Sequence, residues 1–508
     1  MRTSNRRFKP NMECRDPVHG FVYLSPAEWD IVDTPTFQRL RDIRQLAMAH
    51  LVYPGATHTR FEHSLGCLHL SARVFNAVRR QVDLHECPNF AQAFRADETQ
   101  IEHGAQLLRL AGLLHDLGHT PFSHSGESLM PFVETAGRRS RIQHEDMTAR
   151  LIRETEIGDR LEQDFGSNAV EEVIAVATRP ELAKLPKADA AWYRFLNDIL
   201  TGELGSDRMD YLLRDAIHSG QSAGLFDYRK LIDSMTIVRA PEETGEEARL
   251  GLDGAGWLVG EQMVAARYLM YVALYFHKTK RIYELHLEDF LEKWLTQEYG
   301  EPLFPTDARE YVRLTDSRIW AAIYQAAQDP TSELRQSATP FVDRTHLRLA
   351  YELLPADNAS PWPSAGELLA QADAAVRDLS PGKAASATRD LLIRSLSRRA
   401  RAWNEKRFDK IVSAAQDYVR SKLGTEIRHD RTRHSAAKFF TPKNQIWVYL
   451  DGRTRYLDEL SEIVSGMPDR IWRGRIYAPE EIRSEVRSFC QAWLTNNPCT
   501  EGEIDVSA

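Results

Sequence analysis

Ten residues, His115 to His124, read HDLGHTPFSH and bring three histidines and an aspartate into one short segment. Neutral imidazole and carboxylate are the nitrogen and oxygen donors that a divalent transition metal takes. His115 and Asp116 are adjacent, and neighbours on a straight helix diverge by about 100°. They can face one ion only where a helix ends or bends, and Gly118 and Pro121 supply such an end directly after an apolar run. The bland alternative is a helix terminus with incidental histidines. It fits poorly with this density of donors in a chain that holds 17 histidines.

Three further segments carry chemistry-bearing types. THTRFEHSLG (Thr57–Gly66) sets Arg60 and His63 one turn apart, off the Phe61, Leu65, Leu68 stripe; a histidine there is either a ligand or a core residue. SDRMDYLLRDA (Ser206–Ala216) spaces Asp207, Tyr211 and Asp215 by four, so they share a helix face, with Ser206 as a candidate N-cap. That face is either functional or simply acidic and solvated. RYLMYVALYFHKTKRIYE (Arg267–Glu284) is rich in tyrosine, normally a core or interface signal. Its Lys278, Lys280 and Arg281 are cations that could meet phosphate.

The elements that must position these residues are mostly helices. Apolar periodicity predicts helices over 59–80, 102–115, 192–218 and 258–298, and the second is apolar on too many sides for a surface helix. Short strands are expected in MTIVRAP and ARLGLD within 235–258. Near the C-terminus QIWVYLDG and RIYAP are expected as strands flanking a helical LDELSEIVSG. PADNASPWPSAG (355–366) reads as a loop, and the charged run at Arg428–Arg433 as a separator. The expected fold is therefore mostly α: a helical bundle with short β-hairpins over residues 1–430 and a small α/β lobe over 431–508.

Composition bounds the rest. In 508 residues, 43% hydrophobic and 27% charged residues are globular proportions. A net charge of −8 offers no global basic field for nucleic acid or anionic membranes. No apolar run approaches a membrane span and no apolar leader follows the N-terminus, so a cytoplasmic protein is expected. The five cysteines are scattered without a CxxC pair, so nitrogen and oxygen ligands are expected at any metal.

In order along the chain, RDPVHGF, DTPTFQRLRDIRQL, YPGATHTRFEHSLG, LLHDLGHTPFSH, SDRMDYLLRDA and YFHKTKR resemble the motifs of the deoxynucleoside triphosphate triphosphohydrolases of the HD-domain superfamily, whose ligand pattern is H…HD…D. The likeness runs from about Asp16 to Glu284 and is specific to about residue 230. No sterile-alpha-motif domain is expected ahead of it. The resemblance implies an HD-domain bundle in which His63, His115, Asp116 and Asp207 bind a divalent ion (Mn, Fe, Co, Ni or Zn), with Mg as a possible second ion on the triphosphate. It implies that His119 and His124 lie by the α-phosphate. His144 would join the acid–base step, oriented by Glu127, where relatives carry an aspartate. Arg60, Arg208 and Arg267 would bind phosphate, Arg208 in place of a lysine. Gln45 and Asp215 would contact the 3′-hydroxyl, Tyr211 would pack under the sugar, and Tyr275 would line the sugar or base.

The implied reaction is dNTP plus water giving deoxynucleoside plus triphosphate. In the family's nucleotide-activated members, residues matching Asp33, Gln38 and Arg41 read a guanine nucleotide at a subunit interface. The lysine that accompanies them is absent here, where Met12–Arg15 reads MECR. A homo-oligomer, dimer or tetramer, is expected, with dNTP pool control or antiviral depletion as the role and nucleic acid not expected as substrate. The competing readings are an HD nuclease or nucleotide phosphatase, and a catalytically silent nucleotide sensor.

Overall fold

Residue pattern and structure meet first in the helix around His63. Helix α1 (Arg60–Arg80) buries Phe61, Leu65, Leu68, Leu70, Val74 and Phe75. Its main neighbours are α2 (Glu98–Leu114) and, further along the chain, α5 (Ser206–Ser219). Asp97 caps α2 by accepting from the Gln100 amide at 2.8 Å. The last turns of α2 bury Leu107, Leu108, Leu110, Ala111, Gly112, Leu113 and Leu114, with Arg109 alone half-buried in that span, as suits a central bundle helix. The computed structural model describes residues 7–80, 87–135, 137–178, 187–242, 245–353, 405–434, 446–467 and 471–497.

Two long helical predictions are each cut in two. Residues 192–218 form α4 (Lys187–Thr201) and α5, joined by the turn Gly202–Gly205. Gly205, not Ser206, is the N-cap of α5, and Ser206 instead shares a 2.6 Å hydrogen bond with Ser71 of α1. Residues 258–298 form α6 (Trp257–Met270), a π-helical segment Tyr271–Tyr275, and α7 (Lys278–Tyr299). Short π segments often mark functional sites because they re-aim side chains. Two other helices matter below: α3 (His144–Glu154), which precedes α4 in the chain, and α8 (Asp316–Gln328).

The chain forms two compact units, Met1–Thr345 with Lys438–Ser465, and His346–Ala437 with Gly466–Ala508. The division differs from the boundary expected at 430/431. In the first unit, Met235–Glu242 and Gly245–Asp253 form the expected hairpin. Trp447–Leu450 then pairs in parallel with Gly245–Asp253 and antiparallel with Arg453–Tyr456. QIWVYLDG thus belongs to the first unit, followed by two short helices, Leu457–Leu460 and Glu462–Ser465.

In the second unit Ile471–Ala478 is the central strand, flanked antiparallel by Arg348–Leu353 and Arg428–His434. The charged run at Arg428–Arg433, expected as a separator, is therefore a strand. Its neighbour supplies the reason: residues directly opposite share a face, and Asp430 faces Arg475. A core of Phe408, Ile411, Ala415, Ile476, Val486 and Cys490 lies under this sheet. The loop expected at 355–366 lies outside the described residues. The protein is mostly helical with small β-sheets, as expected. Among the described residues no helix is long and apolar enough to cross a membrane.

Candidate active site

Helix α2 stops at Leu114, and His115 is its C-cap, so His115 and Asp116 leave the helix as a pair rather than diverging around it. The His115 Nε2 lies 3.3 Å from Oδ1 of Asp116 and 3.7 Å from Oδ1 of Asp207. The His63 Nε2 lies 3.4 Å from Oδ2 of Asp116 and 3.2 Å from the same Asp207 oxygen. Donors bound at ~2.1 Å in tetrahedral or octahedral array stand about 3.0–3.4 Å apart; His63, His115 and Asp207 lie close to that spacing, while Asp116 meets the two histidines with different oxygens. His115 Nε2 is buried without a hydrogen-bond partner, which buried polar atoms avoid. Cys67, one turn after His63, was not anticipated near the ligands. Its Sγ is 3.6 Å from both ring nitrogens of His63, beside the ring rather than along a lone pair. His63, Cys67, His115 and Asp207 form one group of side chains that could hold a metal ion, so a sulfur stands among the nitrogen and oxygen donors expected from the sequence.

The opposite edge of each imidazole is anchored. His115 Nδ1 lies 3.0 Å from the Gly112 carbonyl, and His63 Nδ1 lies 2.7 Å from Oδ2 of Asp210. Asp210 is fully buried and also meets His19 Nε2 at 2.6 Å and Arg214 at 2.8 and 2.9 Å. Arg214 closes the chain on Asp16 at 2.8 Å. Such partners fix the ring and its tautomer and raise ligand basicity. Gly66 makes room for this network, since a Cβ there would collide with the Asp210 carboxylate. Gly118 likewise lets the segment after Asp116 lie against the start of α3, where a Cβ would strike the His144 carbonyl and the Thr148 amide.

Beside the nest, Glu127 gathers three histidines. Its Oε1 lies 2.7 Å from His144 Nδ1, 3.0 Å from His124 Nδ1 and 3.6 Å from His119 Nδ1. The longer carboxylate thus reaches His144 directly. Burial disfavours the Glu127 charge, but His124 and His144 outweigh it and hold the carboxyl well below its usual range. Burial opposes charge on His144 too, and the Glu127 hydrogen bond with nearby acidic charges reverses it, raising its pKa. His119 behaves oppositely: burial, then Arg60 and His144, keep it well below 6.5 and neutral. His119 and His144 stack at 3.8 Å between centroids, and their surroundings push the two rings in opposite directions, His144 toward its charged form and His119 toward its neutral one. These four residues could themselves hold a cation among their donor atoms.

The residues expected at phosphate and sugar are partly brought together. Arg60 hydrogen-bonds Asp116 and Ser123, so its guanidinium stands at the metal nest. Arg208 and Arg267 converge on Glu203. On α5, Asp207, Tyr211 and Asp215 share one face as predicted. Tyr275 donates to Asp215 Oδ2 at 2.7 Å, and His58 Nε2 lies 2.8 Å from Oδ1. The Gln45 Oε1 is buried without a partner. Lys280 and Arg281, offered as phosphate contacts, instead bind Glu284, which also accepts from Ser125. Gln38 and Arg41 touch each other at 2.7 Å, Arg41 lies 3.6 Å over the Phe61 ring, and Asp33 is exposed at the end of its helix.

Sequence reasoning missed Asp210, Arg214, His19, Cys67, Glu203 and Asp316. Asp210 had one legible signal, its position three residues after Asp207 on the same helix. Asp316 had none: from α8 it accepts the amides of Phe122 at 2.7 Å and Arg44 at 3.0 Å. Phe122 and Ser123 are both left-handed, with φ of 58° and 55°.

The model of the HD domain matches residues 60–215, the span that holds the four donors, Asp210 and Asp215. An uncharacterised protein of Methanocaldococcus jannaschii is 32% identical over 268 residues, covering 53% of this chain and 46% of its own. The deoxynucleoside triphosphate triphosphohydrolase SAMHD1 of Homo sapiens is 29% identical over 390 residues, covering 68% of this chain and 58% of its own. This chain thus spans about half the length of the curated relatives it matches. Among solved structures, a hypothetical protein from Aquifex aeolicus is similar with a TM-score of 0.64 at 29% identity, covering 94% of this chain and 99% of that one.

Proposed function

Since the chain carries an HD domain and is similar to deoxynucleoside triphosphate triphosphohydrolases, we propose that it is a metal-dependent hydrolase of dNTPs, releasing deoxynucleoside and inorganic triphosphate. One observation carries the reading: a four-donor nest and a carboxylate-bracketed histidine cluster meet at Asp116 and His119, 3.3 Å apart. His63, His115, Asp116 and Asp207 would hold the ion, which when bound supplies Lewis acidity and a water of lowered pKa.

The chain's own groups do the rest. In the reaction a water oxygen bonds to the α-phosphorus and the bond to the 5′-oxygen breaks, so that oxygen needs a proton. Glu127 stabilises the protonated form of His144, which favours this ring as the donor. His124, 68% exposed at its side chain and hydrogen-bonded to the same Glu127 oxygen, is the second candidate donor. His119 stays neutral and serves as a hydrogen-bonding group to the phosphate. Arg60, Arg208 and Arg267 offset the triphosphate charge and hold it in line. Asp215 and Gln45 read the 3′-hydroxyl, Tyr211 packs under the sugar, and Tyr275 bounds it.

The same reading includes a cytoplasmic homo-oligomer, Mg on the triphosphate, and nucleotide activation at Asp33, Gln38 and Arg41. Its role would be control of dNTP pools or their depletion in antiviral defence. The decisive assay is product identity over the dNTPs singly and mixed. Release of inorganic triphosphate is expected. Orthophosphate would indicate a phosphatase, cleavage of RNA or DNA a nuclease, and no product a sensor.

A further inference from the structure

The turn between α4 and α5 reads Thr201-Gly-Glu-Leu-Gly205, with glycines on both sides of one carboxylate. Neither glycine tolerates a Cβ: at Gly202 it would strike the Asp198 carbonyl and at Gly205 the Leu200 carbonyl. The turn therefore lies close against the end of α4, with the Glu203 side chain projecting from between the two glycines. Glu203 Oε1 lies 3.2 Å from Arg208 Nη2, and Oε2 lies 2.9 Å from Arg267 Nη1. Arg208 Nη1 also donates to the Thr201 and Gly202 carbonyls of the same turn. All three side chains are nearly buried, Glu203 and Arg208 in residues 8% exposed and Arg267 in one 4% exposed.

Two guanidiniums so placed carry two positive charges, and Glu203 cancels one of them. A polyanion that binds both arginines must compete with this carboxylate, or lie beside it and be repelled. We propose that Glu203 is a displaceable counter-ion of Arg208 and Arg267, setting how much negative charge a ligand must bring to take the pair. A triphosphate brings enough to displace it, and orthophosphate does not. This rests on the assignment of both arginines to the triphosphate. The competing role, a fixed brace that aims the arginines at substrate, predicts the opposite sign on removal.

The test is equilibrium binding of inorganic triphosphate and of orthophosphate to the metal-loaded protein and its variants, alongside kinetics on dATP. Glu203→Gln keeps the shape and removes the charge. It should bind triphosphate about tenfold more tightly, the order expected of one close charge partner in partly screened surroundings. Its KM for dATP should fall likewise with a smaller change in kcat, and the preference for triphosphate over orthophosphate should narrow. Glu203→Asp, which keeps the charge, should stay near the parent. Looser binding in Glu203→Gln would establish the brace and overturn the counter-ion. A crystal structure of the parent with triphosphate reads the same question without a variant: the carboxylate should have left both guanidiniums, and its continued bridging would overturn the inference. If the parent binds no triphosphate at all, the functional reading falls and this one with it.

Discussion

The Nδ1 of His63 lies 2.7 Å from Oδ2 of Asp210, a fully buried carboxylate three residues beyond the donor Asp207 on the same helix. One helix thus supplies both a candidate ligand and the group that orients another. Asp210→Asn should lower metal affinity roughly 10–100-fold, the usual cost of losing such a partner, with turnover regained at excess metal. Metal titration of variant and parent checks this, and equal affinities would remove Asp210 from the site.

His115→Ala and Asp207→Ala each delete a donor from a set of four. Both should lose bound metal and turnover together, because few ligands remain to compensate. The fold should persist, since α1 and α2 are held by apolar packing. Full metal occupancy with normal activity in Asp207→Ala would refute the nest.

Glu127 raises the His144 pKa, so the protonated, donating form survives to higher pH than in a free histidine. The rate should therefore fall as pH rises through that raised value. Glu127→Gln should move this limb to lower pH and cut kcat by about 10²–10⁴. The stability contributed by the raised His144 pKa has the same sign, fully present below the unfolded histidine pKa of about 6.5 and lost as pH rises through the folded one, while the lowered Glu127 pKa contributes stability that is lost as pH falls through it. A pH profile that does not shift would exclude the pair from the acid–base step.

Tyr211 lies between Asp207 and Asp215 on α5, with its ring 6.3 Å from that of Tyr275. If a 2′-hydroxyl meets this ring without a partner, it costs roughly 1–3 kcal/mol, or about ten- to a hundredfold in selectivity. The expected outcome is a dATP preference over ATP in kcat/KM that narrows in Tyr211→Ala. Equal values in the parent would count against a deoxynucleotide substrate.

Asp316 ties the left-handed Phe122–Ser123 pair to Arg44, next to Gln45. Asp316→Ala leaves the buried Phe122 amide and the half-buried Arg44 amide without this acceptor, at roughly 1–3 kcal/mol for the buried one. Melting temperature and kcat should both drop, with metal content less affected than in Asp207→Ala. An unchanged melting temperature would show that the loop holds its conformation without this carboxylate.

Much of the site was legible in the sequence because its signals are local. His115 and Asp116 are adjacent at a helix end, and Asp207, Tyr211 and Asp215 follow the helical repeat, so chemistry and spacing sufficed to single them out. The apolar run before His115 announced its buried helix in the same way. Asp210, Glu203 and Asp316 acquire their roles from partners far along the chain. Asp210 is 147 residues from His63, Arg267 is 64 from Glu203, and Asp316 is 194 from Phe122. No periodicity encodes such pairs, because a charged residue reads alike whether water or a distant side chain satisfies it. The strand Arg428–His434 escaped for a related reason. Its charges face Arg475 and its sheet neighbour across a pairing that only the folded chain assembles, and the third strand of that sheet, Arg348–Leu353, comes from much earlier in the chain. Helix phase and donor type were therefore fixed by sequence alone. Which carboxylate orients, neutralises or pins was decided by tertiary packing, because burial forces each charge to find a partner wherever the fold delivers one.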